Sequence, residues 1–183
     1  MGYIEFKEVN GEKRIYILKD IEFCDYEDYI HKNATPYRAE QVYRYLKEHG
    51  IYIFKYEKNC FKCQTKIPIY SYYLGKQLEN ELGKRYKMEN FNIPNRHLFD
   101  TVGIGEYLMQ KIPTIKKSYS KMMECEYVVN TCPNCGVIQG INYTVYKPQE
   151  LENLTYEELK KKIWEKVDID AIGLTEKEIK KYL

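Results

Sequence analysis

The chain is poor in histidine, arginine and tryptophan, with 3 His, 5 Arg and 1 Trp in 183 residues. His31, His49 and His97 lie far apart with no partner at a motif spacing. That excludes an H-E-x-x-H metalloprotease helix, and no Gly-rich loop of the phosphate-cradling kind is present. Arginine is outnumbered by 24 Lys, which counts against bidentate gripping of phosphate. An excess of one charge is also missing. The 29 basic and 27 acidic residues leave a formal net charge of +2, so bulk attraction to nucleic acid of the histone kind is excluded.

Long apolar runs are absent too. The longest uncharged run, Tyr127 to Tyr146, is broken by Asn130, Pro133, Asn134, Gln139 and Gly140, so no membrane span is expected. Met1 to Val9 alternates apolar and charged residues instead of showing a basic start and an apolar stretch. No secretory signal is therefore expected, and the expected location is a reducing cytoplasm.

What is present is 6 Cys and 20 Tyr on an ordinary globular background, 44% hydrophobic and 31% charged. Lys, Ile, Tyr and Asn all use A/T-rich codons, so a genome of low G+C content would inflate all four together with no functional reason. The cysteines are more informative. Four fall in two C-x-x-C knuckles, Cys60-Phe61-Lys62-Cys63 and Cys132-Pro133-Asn134-Cys135. A two-residue spacer lets both sulfurs of a knuckle reach one ion, and two knuckles supply a closed tetrahedral shell suited to structural Zn²⁺. Gly136 can adopt positive φ and turn backbone N–H groups toward the sulfurs. The knuckles are 68 residues apart, but loop-closure entropy grows only logarithmically, so one shared site is expected. A redox reading of Cys-Pro-x-Cys would want a helix after the motif, and Gly136 to Gly140 does not begin one. Iron–sulfur ligation is a further alternative, although the spacing matches no ferredoxin run. Cys24 and Cys125 are isolated and are expected to be small buried hydrophobes.

The expected architecture is α+β in three parts. Residues 1–50 form an N-terminal β-hairpin plus helix. Residues 51–147 form a four-Cys zinc ribbon with a long insert, 75–118, between the knuckles. Residues 148–183 form a C-terminal helical tail. Asn10-Gly11 marks a two-residue hairpin turn between Tyr3–Val9 and Lys13–Leu18. A helix is expected from Thr35-Pro36 to a left-handed stop at Gly50. Strands are expected at 51–56 and 66–74 around the first knuckle, and at 124–130 and 137–146 around the second, with a short helix at 104–112. Thr155 and Thr175 each open a T-x-x-E capping box. Tyr156, Leu159, Ile163 and Val167 then read as the stripe of one tail helix.

The surroundings of the knuckles resemble an uncharacterised bacterial and phage zinc-ribbon domain. Its pattern is C-x-K-C, then Y-S-K, then N-x-C-x-x-C-G-x-x-Q-G. Here these are Cys60–Cys63, Tyr119-Ser120-Lys121 and Asn130 to Gly140. The resemblance covers roughly residues 56–146. It implies Zn²⁺ on Cys60, Cys63, Cys132 and Cys135, and implies nothing about catalysis. Gln64 departs from it, standing where many ribbon knuckles have Gly. Gln139 is expected to hydrogen-bond the returning strand and Gly140 to make a bulge, the alternative being an amide that reads a base or a partner backbone.

Charge points to two functions. Residues 51–140 carry 13 basic and 8 acidic groups, a net +5, between flanks of −2 and −1. Lys116, Lys117, Tyr119 and Lys121, with Arg85 and Lys87 in the insert, are the candidate nucleic-acid-binding residues. Lysines would neutralise phosphate while tyrosine stacks on bases. The alternative is a protein partner, adaptor or inhibitor, contacting the acidic stretch Asp20 to Asp28 or a tail surface around Trp164. An enzyme is the least supported reading. Glu124 and Glu126 would be the two carboxylates of a nuclease-like strand, which would also want an Asp and a Lys such as Asp100 and Lys121, and a closed four-Cys site offers substrate no open position.

Overall fold

The computed structural model describes residues 4–9, 12–17, 39–40, 42–72, 103–146 and 148–181. The architecture is α+β, built on small antiparallel sheets. Strands β1 (Ile4–Val9) and β2 (Glu12–Ile17) form a two-stranded hairpin in which Val9 faces Glu12. That register leaves two residues for the connection, as the Asn10-Gly11 signal requires. The dipeptide itself lies outside the described residues, as do Thr35-Pro36, Cys24, Asp20 to Asp28, Arg85, Lys87, His31, His97 and Asp100.

Residues 39–40 and 42–49 are helical and form α1. Its apolar positions Ala39, Val42, Tyr45 and Leu46 recur at helical spacing and are all buried. Gly50 ends it, with φ of 70° and its N–H on the Leu46 carbonyl at 2.7 Å. A Cβ there would lie 2.7 Å from the Val167 carbonyl oxygen. Both the φ and the close approach therefore demand glycine.

Strand β3 (Ile51–Asn59) is the centre of a three-stranded sheet, between β4 (Lys66–Ser71) and β7 (Ile163–Val167). Its register against β7 shifts between Ile53 and Phe54. The irregularity moves the buried phase of the strand from Ile51 and Ile53 to Phe54 and Tyr56. One strand thereby serves two cores. Ile51 and Ile53 join α1 and the chain around Ile104, Leu108 and Ile169. Phe54 and Tyr56 join Ile67, Ile69, Leu151 and Leu159 around Cys60 and Cys132. Each such fully buried side chain contributes about 1.5–3 kcal/mol. Pro68 is tolerated because β4 is an edge strand.

Helix α2 (Ile104–Lys111) matches the expected short helix. Strand β6 (Cys125–Asn130) enters the second knuckle as expected, and it pairs with β5 (Ile115–Ser120), a strand that the sequence analysis did not anticipate. Two expectations fail. No strand leaves the second knuckle over 137–146. A single bridge joins Thr131 to Ile138, and Asn142–Tyr146 is a π-helical turn. The buried positions Ile141, Thr144 and Val145 follow a helical spacing. Nor is the tail wholly helical. Short helices α3 (Gln149–Glu152) and α4 (Tyr156–Lys160) are followed by β7, a 3₁₀ turn (Ile169–Ile172) and α5 (Glu176–Lys180). Ile163 and Val167 fit a helical stripe or a strand alternation equally well, and the open edge of β3 selects the strand. Both predicted capping boxes are formed, Thr155 with Glu158 and Thr175 with Glu178.

Candidate metal centre

The two knuckles have one backbone design. In each, the last strand residues deliver the first cysteine and the chain turns through two residues to the second. The Cys60 N–H donates to the Thr65 carbonyl and the Gln64 N–H to the Cys60 carbonyl, both at 2.9 Å. In the second knuckle Cys132 N–H donates to Val137 O and Gly136 N–H to Cys132 O, again at 2.9 Å. The residue after the second cysteine adopts positive φ in both, 57° at Gln64 and 70° at Gly136. The departure from glycine at position 64 thus leaves the backbone path unchanged, with Gln64 Nε2 donating to Phe61 O at 3.1 Å.

These turns bring four sulfurs together. The Sγ atoms of Cys60, Cys63, Cys132 and Cys135 all lie within 4.8 Å of one another. Cys60 Sγ is 3.7 Å from Cys135 Sγ, and Cys63 Sγ is 3.6 Å from Cys132 Sγ. A tetrahedral ion with bonds of about 2.3 Å would require sulfur–sulfur edges of about 3.8 Å. The cluster is therefore positioned to hold one metal ion. Cys60 and Cys132 are buried, while Cys135 reaches the surface.

Hydrogen-bond donors surround the sulfurs. The Thr65 hydroxyl lies 3.4 Å from Cys63 Sγ, and Asn134 Nδ2 from the opposite knuckle donates to the same sulfur at 3.6 Å. The Thr65 side chain and N–H, with Asn134, hold the Cys63 thiol far below its ordinary value, at about 5. Burial pushes the Cys60 thiol up, but the N–H groups of Cys63 and Lys62 outweigh it and bring it below the usual range. At Cys135 the Val137 N–H acts downward. Burial and the three facing sulfurs overcome it and raise the thiol to about 11. Four thiolates cannot share so small a space alone, and a central cation removes that conflict.

The pairing of the two knuckles depends on buried polar side chains. Asn130 is 2% exposed and uses its amide as a strand would, accepting from Tyr70 N–H and donating to Tyr70 O, both at 2.9 Å. It satisfies the free edge of β4 and docks β6 there. The Tyr56 hydroxyl donates to Thr144 O at 2.9 Å and the Ser71 hydroxyl to Val145 O at 3.1 Å. These two bonds tie the π-helical turn to the first hairpin. Burial pushes the Tyr56 phenol well above its usual range, so it remains a donor. Tyr56, Ser71 and the amide role of Asn130 were not among the residues singled out from the sequence. The only signal for any of them was the asparagine of the N-x-C motif.

The other candidates fall as follows. Lys116, Lys117, Tyr119 and Lys121 lie on or beside β5 and are all exposed. They do not form one face. Lys117 and Tyr119 share one side of the strand and Lys116 occupies the other. Lys117 Nζ is 3.9 Å from the Glu126 carboxylate. Cys125 is exposed, not buried as expected, because it opens β6 beside the hairpin turn. Gly140 makes no bulge. Its carbonyl instead accepts from Thr144 N–H and Oγ1 at the start of the π-helical turn. Trp164 lies on a strand, 37% exposed and edge-on to Tyr70. His49 stands at the C-terminal end of α1, as expected. Among the described residues no helix is long and apolar enough to cross a membrane. Comparison of the chain with family models, curated proteins and solved structures found no match in any of the three.

Proposed function

We propose that the chain is a zinc-ribbon protein whose ion is structural and whose β5–β6 hairpin contacts a partner. The observation that carries this reading is the four-sulfur cluster, delivered by two knuckles of matching backbone design. Zinc suits it because four thiolates and tetrahedral edges are what Zn²⁺ takes, and the resemblance to zinc-ribbon domains points the same way. With all four positions filled by protein, the ion would fix structure instead of activating substrate. Metal analysis of protein purified without chelator tests it. One zinc per chain is expected, iron in its place overturns the choice of metal, and no metal overturns the reading.

Nucleic acid is the first partner reading, supported by exposed Lys116, Lys117 and Lys121 beside Tyr119. Binding should weaken steeply with salt and disappear in K116E/K117E. Binding unchanged by charge reversal counts against it. A protein partner is the second reading. It is favoured by the hairpin tip, where Met122 and Met123 are 81% and 47% exposed. Glu124 and Glu126 also leave this hairpin, with its three lysines, only one charge positive. Native purification followed by ultraviolet absorbance and mass analysis of what accompanies the chain separates the two.

A further inference from the structure

Gln139 is a polar side chain in an apolar place, 3% exposed. Its backbone N–H donates to Asn130 O at 2.8 Å, a bond to the entering strand and not to the returning strand expected from the sequence. Its side chain does something else. The amide nitrogen lies 3.2 Å from Val137 O and 3.5 Å from Cys60 Sγ. Only the NH₂ group can face a carbonyl oxygen, so the amide orientation is determined and its remaining hydrogen meets the sulfur. Cys60 is the buried sulfur of the first knuckle, while Gln139 follows the second. The contact therefore crosses between the two halves of the site, in a region closed to water.

We propose that Gln139 is a positioning residue of the metal centre, its amide holding the Cys60 sulfur as a hydrogen-bonded thiolate and setting the affinity for the ion. The inference rests on the reading that the four sulfurs hold a metal. A buried thiolate with no water to solvate it needs such a donor, and the amide supplies one without adding a charge. Asn134 is the natural comparison. It donates to Cys63 Sγ at 3.6 Å from an exposed position, where water can replace it.

The test uses the full chain with Co²⁺ as a spectroscopic substitute for Zn²⁺, followed by displacement with Zn²⁺ against a competing chelator. In Q139M, similar in size but lacking the donor, affinity should fall about 10–100-fold. The sulfur-to-cobalt charge-transfer band should move to longer wavelength, because a lone pair that loses its hydrogen bond is easier to ionise. A purely packing role would not move that band. Asn134→Ala should shift both readouts less. Q139E keeps the shape of the side chain and places an acceptor-only carboxylate by the sulfur, so it should bind more weakly than Q139M. It carries the test if the apolar variant does not fold. Wild-type affinity and an unmoved band in both variants overturn the proposal while leaving the metal reading intact. A wild-type chain that binds neither ion overturns both.

Discussion

The two knuckles share a hydrogen-bond pattern and differ in everything around it. The first sits at the end of a regular hairpin, between nine-residue β3 and six-residue β4. The second is entered by β6 but left by one bridge and a π-helical turn. The first uses Gln64 at positive φ, the second Gly136. The lesson is that the knuckle is a local device, closed by its own backbone bonds, whereas its support is tertiary. The first knuckle is supported by its own strands. The second is supported by the first, through Asn130, Tyr56 and Ser71.

On the proposed metal reading, removing the ion should erase the comparison. Apparent zinc binding in four-ligand sites contributes about 10–16 kcal/mol to folding near pH 7. A chelator, or C60S or C132S at a buried sulfur, is expected to lower the thermal midpoint drastically and to free both halves to hydrogen exchange. Acidification acts in the same direction, since thiolates must be bare to bind and protons compete as pH falls. A midpoint insensitive to chelator would show that the knuckles stand without the ion.

Asn130→Leu should break the dependence of the second knuckle on the first. It leaves the Tyr70 N–H and carbonyl buried without partners, a loss of about 2–4 kcal/mol. Amide exchange should accelerate at Tyr70 and in the second knuckle more than in β3. Uniform acceleration would show that the halves do not differ in support.

Glycine 136 and glutamine 64 give the most direct contrast. A Cβ at Gly136 would meet nothing within 4 Å. Gly136→Ala therefore carries only the penalty of positive φ, about 1–2 kcal/mol, read by denaturant unfolding of the metal-bound protein. Gln64→Gly removes the same strain from the first knuckle. Set against the greater freedom of glycine in the unfolded chain, it should stabilise by about 0.5 kcal/mol. Loss of stability at Gln64→Gly would mean that the Gln64 bond to Phe61 O outweighs the backbone strain.

Much of this was legible in residues alone, wherever the responsible interaction is local. The Thr155 and Thr175 boxes, the stop at Gly50 and the turns at both knuckles each depend on a few neighbouring residues, and all are formed. The gathering of the four sulfurs was legible too, since a closed tetrahedral shell needs two such spacers. What was illegible depended on a distant partner. Ile163 to Val167 became a strand because β3 had a free edge. Asn142 to Tyr146 became a π-helical segment in which the Thr144 and Val145 carbonyls meet Tyr56 and Ser71. Gln139 became a sulfur donor because its partner lies 79 positions away.

The sequence by itself thus determined the four-cysteine set that could hold an ion and the helix caps, because cysteine spacing and capping are properties of short segments. Only the tertiary structure decided which sulfurs are buried, which amides reach them and which strand completes the central sheet. Those depend on how desolvated polar groups find partners across the chain, and no local pattern encodes that choice.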